Sequence, residues 1–325
     1  MPESPVSARK TPPSLSAFRR TEAMSHDLSQ LPGKGPSYLN DDNLAGLLSK
    51  DSIEEQIQWL RRLDVDSYIQ RVVNPSENQK RLSTAEVIQQ LGGNVNTLNS
   101  NEFKLGERES VFDTAKVLER YVDLIVIRSF DHNVLEEFAS YTNVPVVNAL
   151  TDTSHPCQVI ADLLTIKEKF KDFKNKKISW FGDCNNVTQS WIEAAALLGI
   201  DFYIACPKSN ALNENKINWI KERNAKIFVS EDVEFVAKDA DCIMTDTWVS
   251  MGDQKDKSVD QFVPFQVNKN IMSFAKSEAL FLHCLPAHRG LEVTKDVIEG
   301  QNSVVFNQAE NRLHAHKSII SYCFS

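Results

Sequence analysis

The chain ends one of its apolar runs with Phe281-Leu282-His283-Cys284-Leu285-Pro286. The apolar residues of 279–282 predict a buried strand, which stops at a cysteine followed by a proline that cannot continue a sheet. The strand therefore brings a thiol and free backbone carbonyls to its carboxyl end. In open α/β sheets, ligands bind outside that edge.

Two further apolar runs end in polar motifs. Residues 241–245 lead into Asp-Thr-Trp-Val-Ser-Met-Gly at 246–252, and residues 177–181 lead into Gly-Asp-Cys-Asn-Asn at 182–186. If the three runs are strands of one parallel sheet, their polar ends line a single crevice.

The composition is that of an ordinary globular protein. The chain has 325 residues, 42% hydrophobic and 25% charged, which is enough for two domains with their own cores. Its net charge of −8 argues against nucleic-acid binding, and no apolar run reaches the about 20 residues of a membrane-spanning helix. The six cysteines form no Cys-x-x-Cys pair, which favours reduced thiols over disulfides or a zinc site.

The first 40 residues differ from the rest. They hold six of the twelve prolines and have no apolar periodicity, which predicts a disordered tail. Arg9, Lys10, Arg19 and Arg20 also allow an organelle transit peptide, although two glutamates and the prolines count against it. The predicted location is the cytoplasm, with the mitochondrial matrix as the alternative if residues 1–40 are a transit peptide.

Helices and strands alternate along the remainder. A helix is predicted to start at Ser83, and another is predicted over 109–121. Strands separated by further helices are then predicted at 122–127, 144–148, 178–181, 202–205, 227–230, 241–245, 280–282 and 304–306. This alternation predicts an α/β fold with two doubly wound domains, each a parallel sheet flanked by helices. The turn after residue 181 lacks the second and third glycines of a dinucleotide site, so a smaller ligand is predicted.

A second polar cluster precedes a predicted helix. His155 and Gln158 stand at its start, with Pro156 suited to the first turn, so they could bind a phosphate or polarise a carbonyl. The alternative is that Ser154 caps the helix and His155 lies on the surface.

Two arginines are further candidate anion ligands. Arg128 ends a strand predicted to be buried, where an anion or a salt bridge to Asp152 would satisfy it. Arg312 could bind an anion or be held by Glu310.

The motif after residue 245 suits an amino acid. Asp246 could bind an ammonium group or move a proton, and Ser250 and Met251 follow it. Cys284 alone is more often a small buried residue than a nucleophile, and strand alternation predicts that His283 points to the opposite face.

Taken together, these motifs resemble the aspartate/ornithine carbamoyltransferase family. The matching segments are Ser-His-Pro-Cys-Gln at 154–158, Gly-Asp-Cys-Asn-Asn at 182–186, Asp-Thr-Trp-Val-Ser-Met-Gly at 246–252, His-Cys-Leu-Pro at 283–286 and Ala-Glu-Asn-Arg at 309–312. The motif at 246–252 is similar to that of the members that act on ornithine. The resemblance runs from about Arg81 to the C-terminus.

The resemblance implies transfer of a carbamoyl group from carbamoyl phosphate to L-ornithine, giving citrulline and phosphate in arginine or citrulline metabolism, without a metal or organic cofactor. It implies a homotrimer, with a carbamoyl-phosphate domain at 41–140 completed by a C-terminal helix at 309–325 and an ornithine domain at 141–308. The implied carbamoyl-phosphate ligands are Arg128, His155, Gln158, Leu285 and Arg312. The implied ornithine ligands are Asn186, Asp246, Ser250, Met251 and Cys284. Catalysis would fall to Arg128, His155, Asp246 and Cys284.

The sequence departs from the family in its N-terminal quarter. The family's Ser-Thr-Arg-Thr-Arg phosphate motif is absent, and Pro-Ser-Glu-Asn-Gln-Lys stands at 75–80. Three accounts are open: divergence to another substrate, an impaired or inactive homologue that binds an amino acid or a sister subunit, and a damaged reading frame.

Overall fold

The computed structural model describes residues 79–98, 105–106, 109–173, 175–249 and 258–324. The predicted tail at 1–40, the altered motif at 75–78 and the site residues Ser250 and Met251 lie outside the described residues.

The strands form two parallel sheets. A two-stranded sheet pairs β1 with β2, and a five-stranded sheet has the order β5-β4-β3-β6-β7. The strands are β1 Ile125–Arg128, β2 Val146–Leu150, β3 Lys177–Phe181, β4 Asp201–Ala205, β5 Ile227–Ser230, β6 Cys242–Thr245 and β7 Leu280–His283.

Helices follow most of the strands, as the alternation predicted. They are α1 Gln79–Gln90, α2 Val111–Leu118, α3 His132–Tyr141, α4 Pro156–Phe170, α5 Asn186–Leu198, α6 Glu214–Glu222, α7 Val233–Ala237, α8 Lys269–Phe274, α9 Lys295–Ile298 and α10 Val305–Cys323. Two short 3-10 helices cover Lys208–Asn210 and Asp260–Phe265. Among the described segments, no helix is both long and apolar enough to cross a lipid bilayer.

Helices pack on both faces of the five-stranded sheet, and successive side chains of each strand point to opposite faces. Trp180 and Leu282 pack with α4 and α5 on one face, whereas Phe181 and Phe281 pack with α7, α8 and α9 on the other. A parallel sheet covered by helices on both faces is the doubly wound arrangement that the sequence predicted.

The chain after β7 shows one wrong prediction. Residues 304–306 were expected to form a strand, but they lead into α10, in which Val305 is buried and Phe306 is 71% exposed. A single bridge between Phe281 and Ser303 is the only sheet-like pairing of this segment within the described residues. Three apolar residues fit a strand or a helix turn equally, so the pattern was too short to decide.

Differences in the first sheet concern burial and boundaries. The strand predicted at 122–127 begins only at Ile125 and is half-buried, and Arg128 at its end is exposed. The helix predicted over 109–121 covers Val111–Leu118, and its Val117 is half-exposed. The domain boundary predicted between residues 140 and 141 falls between the paired strands β1 and β2. At the other end of the chain, α10 packs on α1 and α4.

Asp241, one residue ahead of β6, fastens the amino-terminal edge of the large sheet. Its carboxylate accepts hydrogen bonds from Lys276 Nζ at 2.8 Å, the Lys177 backbone N–H at 3.0 Å and Lys176 Nζ at 3.2 Å. Burial alone raises the pKa of Asp241, but these donors outweigh burial and lower it.

We expect Asp241→Ala to lower the free energy of unfolding by about 2 to 4 kcal/mol, because it leaves two lysines and a backbone N–H without their acceptor. The lowered pKa means that the carboxylate's contribution is complete above its unfolded-state pKa of about 3.9 and is lost as the pH falls through the folded value. Urea denaturation at pH 7 and at pH 3.5 measures both effects.

Asp201→Ala is the matched control. Asp201 forms an ion pair with the exposed Lys226 at 3.1 Å, so its removal is expected to cost less than about 1 kcal/mol. Equal losses for the two variants would contradict the assigned role of Asp241.

Candidate active site

The strand order creates a switch point at the carboxyl edge of the large sheet. The chain runs outward from β3 through β4 to β5 and then returns to place β6 on the other side of β3. Phe181, Thr245 and His283 are aligned in register at the ends of β3, β6 and β7. The three polar motifs therefore meet at one edge, where doubly wound sheets bind ligands.

Gly182 lets the loop after β3 pass close to the loop after β6. Its φ is +107°, and a Cβ built there would lie 2.9 Å from Nε1 of Trp248. The Trp248 ring stacks on Phe262 with centroids 5.9 Å apart, which fixes its place. Only glycine combines this backbone conformation with such a close approach.

Asp246 is the carboxylate on which the motifs converge. Its Oδ1 accepts a hydrogen bond from Cys284 Sγ at 2.9 Å, and its Oδ2 accepts one from Asn185 Nδ2 at 2.8 Å. Asp246 and Cys284 are both buried. The structure thus joins two predicted site residues from β6 and β7 directly.

Asn185 was not predicted as a site residue. Its Oδ1 caps α5 by accepting from the backbone N–H groups of Val187 at 3.0 Å and Thr188 at 3.2 Å, which leaves its amide group for Asp246. An asparagine just before a helix is a capping signal, but only the fold shows what its other end contacts.

His283 lies against this pair, so the prediction that it points away is wrong. One carboxylate oxygen of Asp246, one ring nitrogen of His283 and the sulfur of Cys284 all lie within 4.8 Å of one another. The reason is that β7 ends at His283, and strand alternation does not extend to Cys284.

Hydrogen bonds set the proton position on the His283 ring. Its Nδ1 accepts from the Leu285 N–H at 2.9 Å, so Nε2 carries the proton and faces Glu292 Oε1 at 3.3 Å. Carboxylate, imidazole and thiol together are a donor set that could hold a zinc-like ion. Here their donor atoms already take part in hydrogen bonds, and the predicted absence of a metal stays a prediction.

The start of α4 forms the second part of the site. His155 is the N-cap residue of α4 and is 1% exposed, so the alternative of a surface histidine behind a Ser154 cap is wrong. Its backbone N–H donates to Ser190 Oγ at 2.8 Å, and Asn186 Nδ2 donates to the Thr151 carbonyl at 2.6 Å. Two hydrogen bonds therefore hold the β2–α4 loop against α5.

Arg312 of α10 supplies a buried positive charge. It forms no ion pair with any residue that the structure describes, and its Nε has no hydrogen-bond partner among them. The alternative of a salt bridge to Glu310 is wrong, since Glu310 is exposed. Burial lowers the pKa of Arg312, whereas Cys284, Cys157 and Asp162 lie close enough to raise it. A buried guanidinium of this kind favours an anionic ligand.

The remaining predicted residues flank these groups. Gln158 is fully buried in the first turn of α4, and Leu285 follows Cys284 with a φ of +51°. Arg128 ends β1 in register with Leu150, and Leu150 is the last residue of β2 before the loop that leads to His155.

Two family models match the chain. The carbamoyl-phosphate-binding domain of aspartate/ornithine carbamoyltransferases matches residues 73–168, and their Asp/Orn-binding domain matches residues 174–323. The chain belongs to the aspartate/ornithine carbamoyltransferase family. The resemblance inferred from the motifs is thereby confirmed.

Individual relatives extend over most of the chain. It is 46% identical over 254 residues to an ornithine carbamoyltransferase of Methanococcus aeolicus, covering 75% of this chain and 83% of the relative. It is 43% identical over 300 residues to one of Rhodopseudomonas palustris, covering 92% and 96%.

Solved structures of the family superpose on the chain. The ornithine carbamoyltransferase of Pyrococcus furiosus gives a TM-score of 0.75 at 39% identity, covering 87% of this chain and 93% of that one. That of Burkholderia thailandensis gives 0.77 at 34% identity, covering 88% and 98%. The two-domain α/β fold predicted from the sequence is therefore confirmed.

We expect Asn185→Asp to lower the free energy of unfolding by about 1 to 3 kcal/mol at pH 8. The new carboxylate keeps the cap on α5 but replaces the amide donor with an oxygen that faces Asp246. The loss should shrink at pH 5, where one of the two carboxyl groups can hold a proton. Urea denaturation at both pH values measures it.

Asn213→Asp is the matched control, because Asn213 caps α6 by accepting from the Lys216 N–H at 2.9 Å. This substitution is expected to be neutral or slightly stabilising, since a carboxylate at a helix N-terminus is favourable. A loss at Asn213 as large as that at Asn185 would show that the cap, and not the contact with Asp246, is affected.

Proposed function

We propose that this chain is an ornithine carbamoyltransferase, which converts carbamoyl phosphate and L-ornithine into L-citrulline and phosphate. The observation that carries the proposal is the hydrogen bond between Asp246 and Cys284 at the switch point, close to the buried charge of Arg312, which forms no ion pair with a described residue. An acidic pair suits the substrate amine, and a buried cation suits the phosphate.

The ornithine side is assigned to Asn186, Asp246, Ser250, Met251 and Cys284. The δ-amino group of ornithine is mostly an ammonium at neutral pH and must lose a proton before it can attack. Asp246 is placed to attract the ammonium. The Cys284 thiol donates to Asp246, so as it passes its proton to the carboxylate its sulfur can take the proton that the nitrogen loses.

The carbamoyl-phosphate side is assigned to Arg128, His155, Gln158, Leu285 and Arg312. Arg312 would neutralise the phosphate, and the N-terminus of α4 adds backbone N–H groups and a favourable dipole. Arg128 and His155 would stabilise the negative charge that builds on the carbamoyl oxygen when the amine attacks.

In the proposed reaction, the neutral amine forms a bond to the carbamoyl carbon and gives a tetrahedral intermediate. The intermediate passes a proton from its positively charged nitrogen to the departing phosphate and collapses by breaking the bond to the phosphate oxygen, so that citrulline and phosphate are released. The acyl phosphate is already activated, so the chemistry requires orientation and charge stabilisation but no metal or organic cofactor.

We also propose a homotrimer that acts in arginine or citrulline metabolism in the cytoplasm. In line with the two family models, the carbamoyl-phosphate domain would contain both β1 and β2, and the C-terminal helix would complete it. The family resemblance supports these assignments.

Purified protein given ornithine and carbamoyl phosphate is expected to make citrulline. Asp246→Asn should lower kcat/KM for ornithine by about 100-fold or more, because it removes the charge that binds and deprotonates the amine. The KM for carbamoyl phosphate should change little, and a colorimetric citrulline assay measures all three quantities.

Asp260→Asn is the control, because Asp260 lies on an exposed 3-10 helix. Wild-type kinetics are expected for it. Ornithine binding by calorimetry without any citrulline would overturn the enzymatic proposal in favour of a non-catalytic homologue, and an unchanged kcat/KM in Asp246→Asn would overturn the ornithine site.

A further inference from the structure

Asp162 is a fully buried carboxylate to which the reaction assigns no role. It lies on α4, one turn beyond Gln158, and three donors from three helices point at it. Its Oδ1 accepts from Gln158 Nε2 at 2.8 Å and from Gln308 Nε2 at 2.7 Å, and its Oδ2 accepts from Trp191 Nε1 at 2.9 Å.

These hydrogen bonds fix which way two amide side chains face. Because the Nε2 group of Gln158 is directed at Asp162, its Oε1 is turned away; this oxygen is buried and has no hydrogen-bond partner among the described residues. The Nε2 group of Gln308 is held likewise, and its Oε1 accepts from the His283 N–H at 2.8 Å. A buried acceptor without a partner favours a ligand that brings a donor.

We infer that Asp162 is a positioning residue that selects a carbamoyl over an acetyl group by keeping the Gln158 carbonyl oxygen turned towards the substrate. The inference rests on the proposed function and deepens it. The amino group of carbamoyl phosphate can donate a hydrogen bond to that oxygen. The methyl group of acetyl phosphate cannot, and it would leave the buried oxygen unsatisfied.

Asp162→Asn tests this assignment because it keeps the shape of the side chain and exchanges one acceptor for a donor. Trp191 Nε1 can only donate, so the remaining oxygen must stay with Trp191 and the new NH₂ group must face the two glutamines. Gln158 then has reason to reverse its amide, which would present a donor to the carbamoyl amino group.

The readout is the preference for carbamoyl over acetyl phosphate. The values of kcat and KM for carbamoyl phosphate are measured at saturating ornithine, and Ki for acetyl phosphate is measured as competition against carbamoyl phosphate. We expect kcat/KM for carbamoyl phosphate to fall by about 10-fold to 100-fold in Asp162→Asn, with Ki for acetyl phosphate within about 3-fold of the wild-type value. Parallel losses for both ligands would mean general damage to the site and would overturn the inference.

Thr165→Val is the matched control. Thr165 lies three residues further along α4 and accepts from Asn311 Nδ2 of α10 at 3.0 Å, so it joins the same two helices without touching Gln158. This variant is expected to have a lower free energy of unfolding and to keep the wild-type preference for carbamoyl over acetyl phosphate. A shift of this preference in Thr165→Val equal to that in Asp162→Asn would also overturn the inference.

The wild-type protein offers a second test that does not depend on the folding of a variant. Burial raises the pKa of Asp162 to about 6. The charged or titratable groups that face it are Arg312 from α10 and Cys242 from β6, and His316 beyond Arg312 stays neutral because burial lowers its pKa to about 3. The preference for carbamoyl over acetyl phosphate should therefore fall as the pH drops from 8 to 5.5.

Ionisation of the phosphate group, and of residues that bind both compounds, affects the binding of both alike. It therefore cancels in the preference for carbamoyl over acetyl phosphate. A preference that is constant across this range would overturn the inference. A wild-type protein that makes no citrulline and does not bind carbamoyl phosphate in calorimetry would instead overturn the proposed function, and this inference with it. Citrulline synthesis with an unchanged preference in Asp162→Asn would overturn only the role of Asp162.

Discussion

The hydrogen bonds of Asp246 to Asn185 and Cys284 depend on the position of β6 beside β3. If β6 continued the sheet beyond β5, two strands would separate the motif after it from the loop that carries Asn185. The switch in strand order brings the loop after β3 against the loop after β6, and Gly182 allows them to touch. One carboxylate can then bind an amide from one side and a thiol from the other. The acidic half of the site is thus a direct result of sheet topology.

The sequence predicted that these strand ends meet at one edge, because its signals were local. Apolar runs that end in polar motifs predicted the ends of β3, β6 and β7, and their parallel alignment follows from the alternating helices. Contacts between distant segments could not be read in this way. The bond from Asn185 to Asp246 spans 61 residues and that from Gln308 to Asp162 spans 146 residues, and neither has a periodic pattern. Exposure was also misjudged for Arg128, because a β-branched run does not show how completely helices cover a strand.

Buried polar groups connect the two parts of the site. Asp162 on α4 binds Trp191 of α5 and Gln308 of α10, and Gln308 binds the backbone of His283 directly before Cys284. Ionisation of Asp162 lowers the free energy of unfolding. Its pKa lies well above that of an exposed aspartate, so stability is lost as the pH rises towards 6. A hydrophobic residue would cost less. Retaining a carboxylate here is reasonable only if the orientation of its partners is worth that cost.

Arg312 is a buried positive charge, and its burial costs free energy as the burial of ionised Asp162 does. Its guanidinium is buried and has no carboxylate partner in the part of the chain that the structure describes, which destabilises the free protein, and a bound phosphate would supply the missing charge. Any ligand that binds only the folded chain stabilises it by RT ln(1 + L/Kd), where L is the free ligand concentration, so phosphate binding would offset the cost of burying Arg312. Arg312 lies on α10, which packs on α1 and α4, so the last helix of the chain would contribute to the proposed anion site as well as to the packing. If Arg312 binds the phosphate as proposed, phosphate binding and the packing of the C-terminal helix are coupled, and each stabilises the other.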